Sequence, residues 1–178
     1  MTPALALVVV TALTILRLAL ALAYPFLGPA ARLPAVAVGG LSDLFDGRIA
    51  RRWHAETWAG GLLDAVSDKL FTLAILGVAW RDGVLGPWLL LAVLARDIAV
   101  AAAAAVVALH RRWDGFRRMP SRPLGKATTA AVFALGIAVV ALPGHARLVD
   151  AVAGVAGGLS VLAGGDYLRE LARARRGA

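Results

Sequence analysis

The chain of 178 residues contains no cysteine, only three histidines and few charged residues. Without cysteine, disulfide bonds, thiolate metal sites and cysteine nucleophiles are excluded. The histidines, His54, His110 and His145, have no metal-like spacing, and we expect them to be solvated loop residues. Charged residues make up 17% of the chain and hydrophobic residues 60%, with a mean hydropathy of +0.77. A soluble domain of this size needs a smaller apolar fraction, so we predict a membrane protein.

The apolar residues form long segments, and a helix needs about 20 such residues to cross a bilayer. Six segments qualify, at residues 6–27, 33–51, 57–80, 84–109, 126–143 and 147–167. They are rich in Ala and Leu and lack the two-residue alternation of membrane strands. No basic residue precedes the first segment, so we expect a retained helix rather than a cleaved signal peptide. The predicted fold is an all-α integral membrane protein with six transmembrane helices in a single domain, residues 1–178.

Basic residues give the chain a net charge of +8 and are unevenly distributed. They cluster between helices two and three, between helices four and five, and after helix six. By the positive-inside rule, these loops and both termini face the cytoplasm, which predicts a multi-pass protein of the inner (cytoplasmic) membrane. Topology and attraction to anionic lipid head groups explain most loop arginines. The short loops lack interleaved aromatic residues, which argues against nucleic-acid binding.

Four aspartates lie close together in the sequence, at the end of helix two and the start of helix three. Asp43 and Asp46 are three residues apart, and Asp64 and Asp68 are four apart, so each pair shares a helical face. Ionised acids in a membrane segment cost ~2.5 kcal/mol or more each at its centre, so a positive partner is needed. Oxygen-only ligands favour Mg²⁺ or Mn²⁺, and paired ions of this kind assist displacement at phosphorus. The alternative is ion pairing with neighbouring basic residues, namely Arg48, Arg51, Arg52 and Lys69.

The residues from Asp43 to Asp68 read D-x2-D-G-x2-A-R-x8-G-x3-D-x3-D. This pattern resembles the signature of the CDP-alcohol phosphotransferase family, whose members are six-helix membrane enzymes. The resemblance implies transfer of a phosphatidyl group from a CDP-linked donor to an alcohol, with release of CMP. It also implies a role for each signature residue. Asp43 and Asp64 would bridge two Mg²⁺ ions (Mn²⁺ is an alternative), Asp46 would bind one ion, and Asp68 would approach the other and act as general base. Gly47, Arg51 and Thr57 would contact the CDP group, with Ala50 and Gly60 leaving room for it.

Further motifs resemble bacterial phosphatidylglycerophosphate synthases and their cardiolipin-synthase relatives. These motifs are FDGRIARRW, LDAVSDK and, in the first helix, TALTILR, which contains Thr14 and Arg17. The resemblance implies CDP-diacylglycerol as donor, with Thr14 and Arg17 near it. Arg17 would contact the donor phosphate or neutralise the acidic site. The expected acceptor is a small phosphorylated alcohol, glycerol 3-phosphate.

Three basic residues are candidates for binding the phosphate of this acceptor, in the order Arg96, Lys126 and Arg118. Arg96 comes first because an arginine inside a membrane segment usually faces a polar cavity. The same chemistry with phosphatidylglycerol, giving cardiolipin, or with inositol phosphate remains an alternative. From another class, the acids would form part of a divalent-cation transport protein. Small residues around Gly154, Gly157 and Gly158 predict close helix contacts in helix six, within one protomer or across a homodimer.

Overall fold

The structure, a computed structural model, describes residues 2–53, 58–109 and 123–176. The described residues form six α-helices and no strand, which confirms the predicted all-α fold with six helices. The helices are α1 (Pro3–Ala23), α2 (Pro29–Trp53), α3 (Trp58–Arg81), α4 (Pro87–Leu109), α5 (Pro123–Ala141) and α6 (Ala146–Arg176). Within the described residues, three segments are long and apolar enough by themselves to cross a membrane: Leu5–Phe26, Pro123–Ala141 and Ala146–Arg169.

Local sequence explains where several helices begin and end. Four of the helices begin with proline, whose fixed φ angle suits the first helical position and whose missing N–H is not needed there. Thr2 caps α1, and its hydroxyl accepts a hydrogen bond from the Leu5 N–H at 3.4 Å. A 3-10 turn, Tyr24–Phe26, follows α1. Gly83 turns the chain after α3 with a φ of 74°, a conformation that favours glycine.

The chain divides into two compact units, Met1–Asp82 and Gly83–Ala178, and each is described by itself below. In the first unit α1 packs against both α2 and α3. Gly39 of α2 faces the buried ring of Phe71 on α3, where an added Cβ would overlap the ring. Tyr24 meets the same ring edge to face, with centroids 6.1 Å apart. A glycine at residue 39 is therefore what allows α2 to approach this aromatic pair.

A cluster of charged groups joins the α1–α2 connection to the end of α3 in the first unit. Asp82 accepts hydrogen bonds from Arg32 and Arg81, and Arg81 Nη1 also donates to the Pro25 carbonyl at 3.1 Å. Arg32 Nε donates to the Leu27 carbonyl at 3.3 Å. The hydrogen bond from Arg32, reinforced by that from Arg81, lowers the pKa of the Asp82 carboxyl below its usual value. These contacts tie the α1–α2 connection to the C-terminal end of α3.

In the second unit α6 packs along α4 and α5. A Cβ on Gly157 would come within 2.9 Å of the Ala92 Cβ, and one on Gly164 within 3.2 Å of the Arg96 Cα. Ser160, between these glycines and fully buried, donates to the Val93 carbonyl at 2.6 Å and accepts from the Arg96 N–H at 3.0 Å. The predicted close contact of helix six thus exists within one chain. A homodimer stays a prediction, as does the grouping of all 178 residues into one domain.

Candidate active site

Arg17 on α1 lies between two of the predicted aspartates. Its Nη1 atom is 2.8 Å from Asp64 Oδ1 and 3.1 Å from Asp43 Oδ1. Because one nitrogen contacts both, the two carboxylate oxygens lie within about 6 Å of each other, the sum of these distances. One residue from each of α1, α2 and α3 therefore meets at a single point, which is the convergence of helical faces that the aspartate spacing predicts.

The three side chains differ sharply in exposure. Arg17 is 1% exposed, whereas the side chains of Asp43 and Asp64 are 50% and 40% exposed. A buried guanidinium is costly unless it is paired, and here two carboxylates pair with it. The acids keep an accessible side although the arginine does not. The cluster therefore presents negative charge outward over an enclosed positive charge.

Asp68 joins this cluster from one helical turn beyond Asp64 on α3. Its half-buried carboxyl interacts electrostatically with Asp43, Asp64 and Arg17, and with the adjacent Lys69. Three of the four predicted acids thus lie in the first unit within electrostatic range of Arg17. The fourth, Asp46, lies on α2, but its side chain is outside the described part of the structure.

The donor set can be compared with what a metal ion requires. In the described parts of the chain, no three acidic or histidine side chains are grouped closely enough to hold a metal ion by themselves. Two carboxylates that converge on one positive charge are nevertheless the arrangement that a shared divalent cation needs, and their oxygens suit Mg²⁺ or Mn²⁺. The residues present fit the predicted ions, which remain a prediction.

The residues predicted to bind the CDP-lipid are only partly described. Thr14 is buried one turn before Arg17, and its hydroxyl donates to the Val10 carbonyl of its own helix at 3.1 Å. Gly60 lies in the first turn of α3 and is half-buried. The structure describes Gly47, Ala50 and Arg51 only as backbone positions of α2, and Thr57 lies outside the described residues. Their donor contacts stay predictions.

The predicted acceptor residues belong to the second unit. Arg96 is half-exposed on α4, and its Nη1 donates to Thr129 Oγ1 on α5 at 3.3 Å. Its Nη2 lies 3.4 Å from where a Cβ on Gly125 would be. Lys126 is exposed on the same turn of α5, and Arg118 lies outside the described residues. The arginine therefore sits against the first turns of α5.

Sequence reasoning missed Thr129 and Ser160 as neighbours of Arg96. Both are polar residues in otherwise apolar helices, which was the available signal. The Ser160 hydroxyl accepts a hydrogen bond from the Arg96 N–H, which lies 64 residues earlier in the sequence, and no local pattern indicates such a pairing.

Comparison with known proteins decides between the classes that this geometry allows. Residues 5–162 match the protein family described as CDP-alcohol phosphatidyltransferase. The chain belongs to this family. The resemblance inferred from the aspartate signature is thereby confirmed, and the match covers α1 to most of α6.

Relatives within this family have names that describe CDP-dependent lipid synthesis. A cardiolipin synthase (CMP-forming) from Streptomyces coelicolor is 37% identical over 95 residues, 53% of this chain and 42% of the relative. A Mycobacterium tuberculosis protein that is provisionally named a cardiolipin synthase is 33% identical over 123 residues, which are 66% of this chain and 56% of the relative. A CDP-diacylglycerol–glycerol-3-phosphate 3-phosphatidyltransferase from Cereibacter sphaeroides is 34% identical over 56 residues, 32% of this chain and 25% of the relative. The chain spans about half the length, or less, of these relatives.

Proposed function

We propose that this CDP-alcohol phosphatidyltransferase family member transfers a phosphatidyl group from CDP-diacylglycerol to an alcohol, releasing CMP. The observation that carries the proposal is the pairing of Asp43 and Asp64 with the buried guanidinium of Arg17, with Asp68 one helical turn beyond Asp64. These acids occupy the signature positions within the region that matches the family. A phosphatidyl transfer needs divalent charge and a base at one place, and this cluster has carboxylates for both.

Each acid has a distinct part in the proposed reaction. Asp43, Asp64 and Asp46 would hold Mg²⁺ ions, which when bound would neutralise the phosphate oxygens during displacement. A carboxylate oxygen of Asp68 would accept the proton from the acceptor hydroxyl. The hydroxyl oxygen then forms a bond to the lipid-bearing phosphorus, and the bond from that phosphorus to CMP breaks, so that CMP leaves with the electron pair. Asp68 suits this role because it lies one helical turn from Asp64, which is proposed to hold an ion.

Two acceptors are candidates, and both contain a phosphate that Arg96 suits. Sequence motifs favour glycerol 3-phosphate, and the named activity of the Cereibacter relative agrees with it. Phosphatidylglycerol is the second candidate, because relatives named as cardiolipin synthases match a larger part of the chain. For either acceptor, the Arg96 guanidinium, which donates a hydrogen bond to the Thr129 hydroxyl, would bind phosphate oxygens.

The proposed location follows the charge distribution. The described helices make the chain a membrane protein, and three of them are apolar enough to span a bilayer unaided. Basic loops on one side support an inner-membrane orientation with both termini and the aspartate cluster facing the cytoplasm. There the cluster would meet water-soluble CMP and glycerol 3-phosphate.

The test is CMP release by the purified protein in mixed micelles containing CDP-diacylglycerol. Release should require a divalent cation and an acceptor, and an acceptor panel of glycerol 3-phosphate, phosphatidylglycerol and inositol phosphate identifies the alcohol. Asp68→Asn removes the base and should reduce the rate by about a hundredfold or more. Asp150→Asn, an exposed acid on α6, is the matched control and should retain wild-type activity. Equal rates in the Asp68 variant and the wild type would exclude the assigned role.

A further inference from the structure

We propose that Arg17 is a built-in counter-ion that competes with divalent cations for Asp43 and Asp64. It would hold the two carboxylates together when no ion is bound and give up this pairing when ions bind. The inference rests on the proposed use of divalent ions at these residues. It assigns Arg17 a role within the protein itself, distinct from contact with the donor.

The geometry supports competition because the arginine and the ion would bind the same two carboxylates. Arg17 Nη1 contacts Oδ1 of both acids, at 2.8 Å and 3.1 Å. A Mg²⁺ ion would bind carboxylate oxygens at about 2.0–2.1 Å, so an ion bridging the acids would lie within a few ångströms of the guanidinium. Two cations that close repel strongly in a partly buried site. Either the guanidinium moves away or the ion binds more weakly.

The exposure of the groups indicates from which side a cation would arrive. Asp43 and Asp64 are about half exposed, while Arg17 is 1% exposed and approaches from within the helix packing. A cation can therefore approach the carboxylates from their exposed side, whereas Arg17 pairs with them from the buried side.

The pairing also has a structural benefit in the absence of ions. Two carboxylates within about 6 Å repel each other across α2 and α3, and removal of Arg17 would leave that repulsion uncompensated. Arg17 would thus lower the affinity of the site for metal ions and stabilise the ion-free fold. The two properties should change in opposite directions when its charge is removed.

The test measures Mn²⁺ binding from the electron paramagnetic resonance signal of the free ion, without substrate. Arg17→Gln should bind Mn²⁺ at least about tenfold more tightly than the wild type, since a nearby positive charge is lost. Its melting temperature should fall without metal and recover with saturating Mn²⁺. Arg17→Lys keeps the charge and should bind Mn²⁺ within about threefold of the wild type.

The matched control is Arg32→Gln, which removes an arginine paired with Asp82 elsewhere in the same unit. This variant should leave Mn²⁺ affinity unchanged and lower the melting temperature equally with and without metal. Unchanged or weaker Mn²⁺ binding by Arg17→Gln would overturn the inference. So would an Arg17→Gln protein that stays unfolded in saturating Mn²⁺, because the ion should replace the lost counter-ion.

Failure of the inference and failure of the proposed function give different results. Wild-type Mn²⁺ binding that Arg17→Gln does not strengthen rejects only the counter-ion role. A strengthened Mn²⁺ affinity in a protein that releases no CMP from CDP-diacylglycerol supports the counter-ion role and rejects the proposed reaction. Absence of Mn²⁺ binding in wild type and variants alike rejects both.

Discussion

The close approach of α4 and α6 predicts a large difference between substitutions at two adjacent glycines. A Cβ on Gly157 would lie 2.9 Å from the Ala92 Cβ and 3.5 Å from the Val93 nitrogen. A Cβ on Gly158 would have no atom within 4 Å among the described residues. Gly157→Ala and Gly158→Ala are therefore the same chemical change in the same helix, and only one of them meets a neighbour.

The size of the effect follows from this contact. Carbon atoms pack at about 3.5–4.0 Å, so Gly157→Ala must push the helices apart locally by a fraction of an ångström to about 1 Å. Overpacking of this kind costs about 1–3 kcal/mol. Both substitutions gain up to about 1 kcal/mol from helix propensity, and this gain cancels when the two variants are compared. Their free energies of unfolding should therefore differ by the cost of overpacking, about 1–3 kcal/mol.

Unfolding in detergent, followed by tryptophan fluorescence, measures this difference. For a chain of this size 1–3 kcal/mol corresponds to a difference in melting temperature of roughly 2–12 °C. Equal stability of the two variants would refute the close packing of α4 on α6. So would greater destabilisation by the substitution of Gly158.

Three further predictions concern other contacts. Gly39→Ala should lower the free energy of unfolding by about 1–3 kcal/mol, because the added Cβ overlaps an aromatic ring. The exposed control Gly61→Ala should not lower it, and chemical denaturation measures the free energy of unfolding of both variants. Ser160→Ala removes two hydrogen bonds between helices and should cost about 0.6–2 kcal/mol in the same assay, and a neutral effect would contradict these bonds. Arg32→Gln should lower the melting temperature at neutral pH. Because Arg32 depresses the pKa of Asp82 below the usual 3.8, this stabilisation exists above about pH 4 and disappears as the pH falls through the folded pKa. A difference between Arg32→Gln and the wild type that is constant from pH 7 to pH 3 would contradict the pairing.

The helices are predictable because each contains a largely apolar segment bounded by charged residues, Gly or Pro, although only three of those described are apolar enough to span a bilayer unaided. The ends of the helices are less predictable. The last apolar segment ends at residue 167, while α6 continues to Arg176. The sequence beyond residue 167 is rich in Leu, Arg, Glu and Ala, which favour helix although they are not all apolar. At the other end, α1 begins at Pro3 because Thr2 caps it, a local signal that a hydropathy window does not detect.

The acidic half of the candidate site is also predictable, since helical spacing alone places Asp64 and Asp68 on one face. The position of Arg17 is different. Whether it points to the acids or away from them depends on the rotation of α1 about its axis against two other helices. That rotation is set by packing, and the sequence leaves both roles of Arg17 open. In the structure Arg17 pairs with Asp43 and Asp64, and its contact with the donor stays a prediction.

Arg96 illustrates the same limit in the second unit. An arginine within an apolar helix is conspicuous in the sequence, and a polar environment is predicted for it. Its partners, the Thr129 hydroxyl and the Ser160 hydroxyl at its backbone, come from α5 and α6. Only the packing of three helices defines them.

Asp64→Asn is the sharpest test of whether the aspartate cluster performs CDP-dependent phosphatidyl transfer. Release of CMP from CDP-diacylglycerol is measured with Mg²⁺ and an acceptor from the panel, for wild type, Asp64→Asn and the Asp150→Asn control. We predict CMP release by the wild type and the control, and a loss of about a hundredfold or more in Asp64→Asn. A folded Asp64→Asn protein that releases CMP at the wild-type rate would contradict the account.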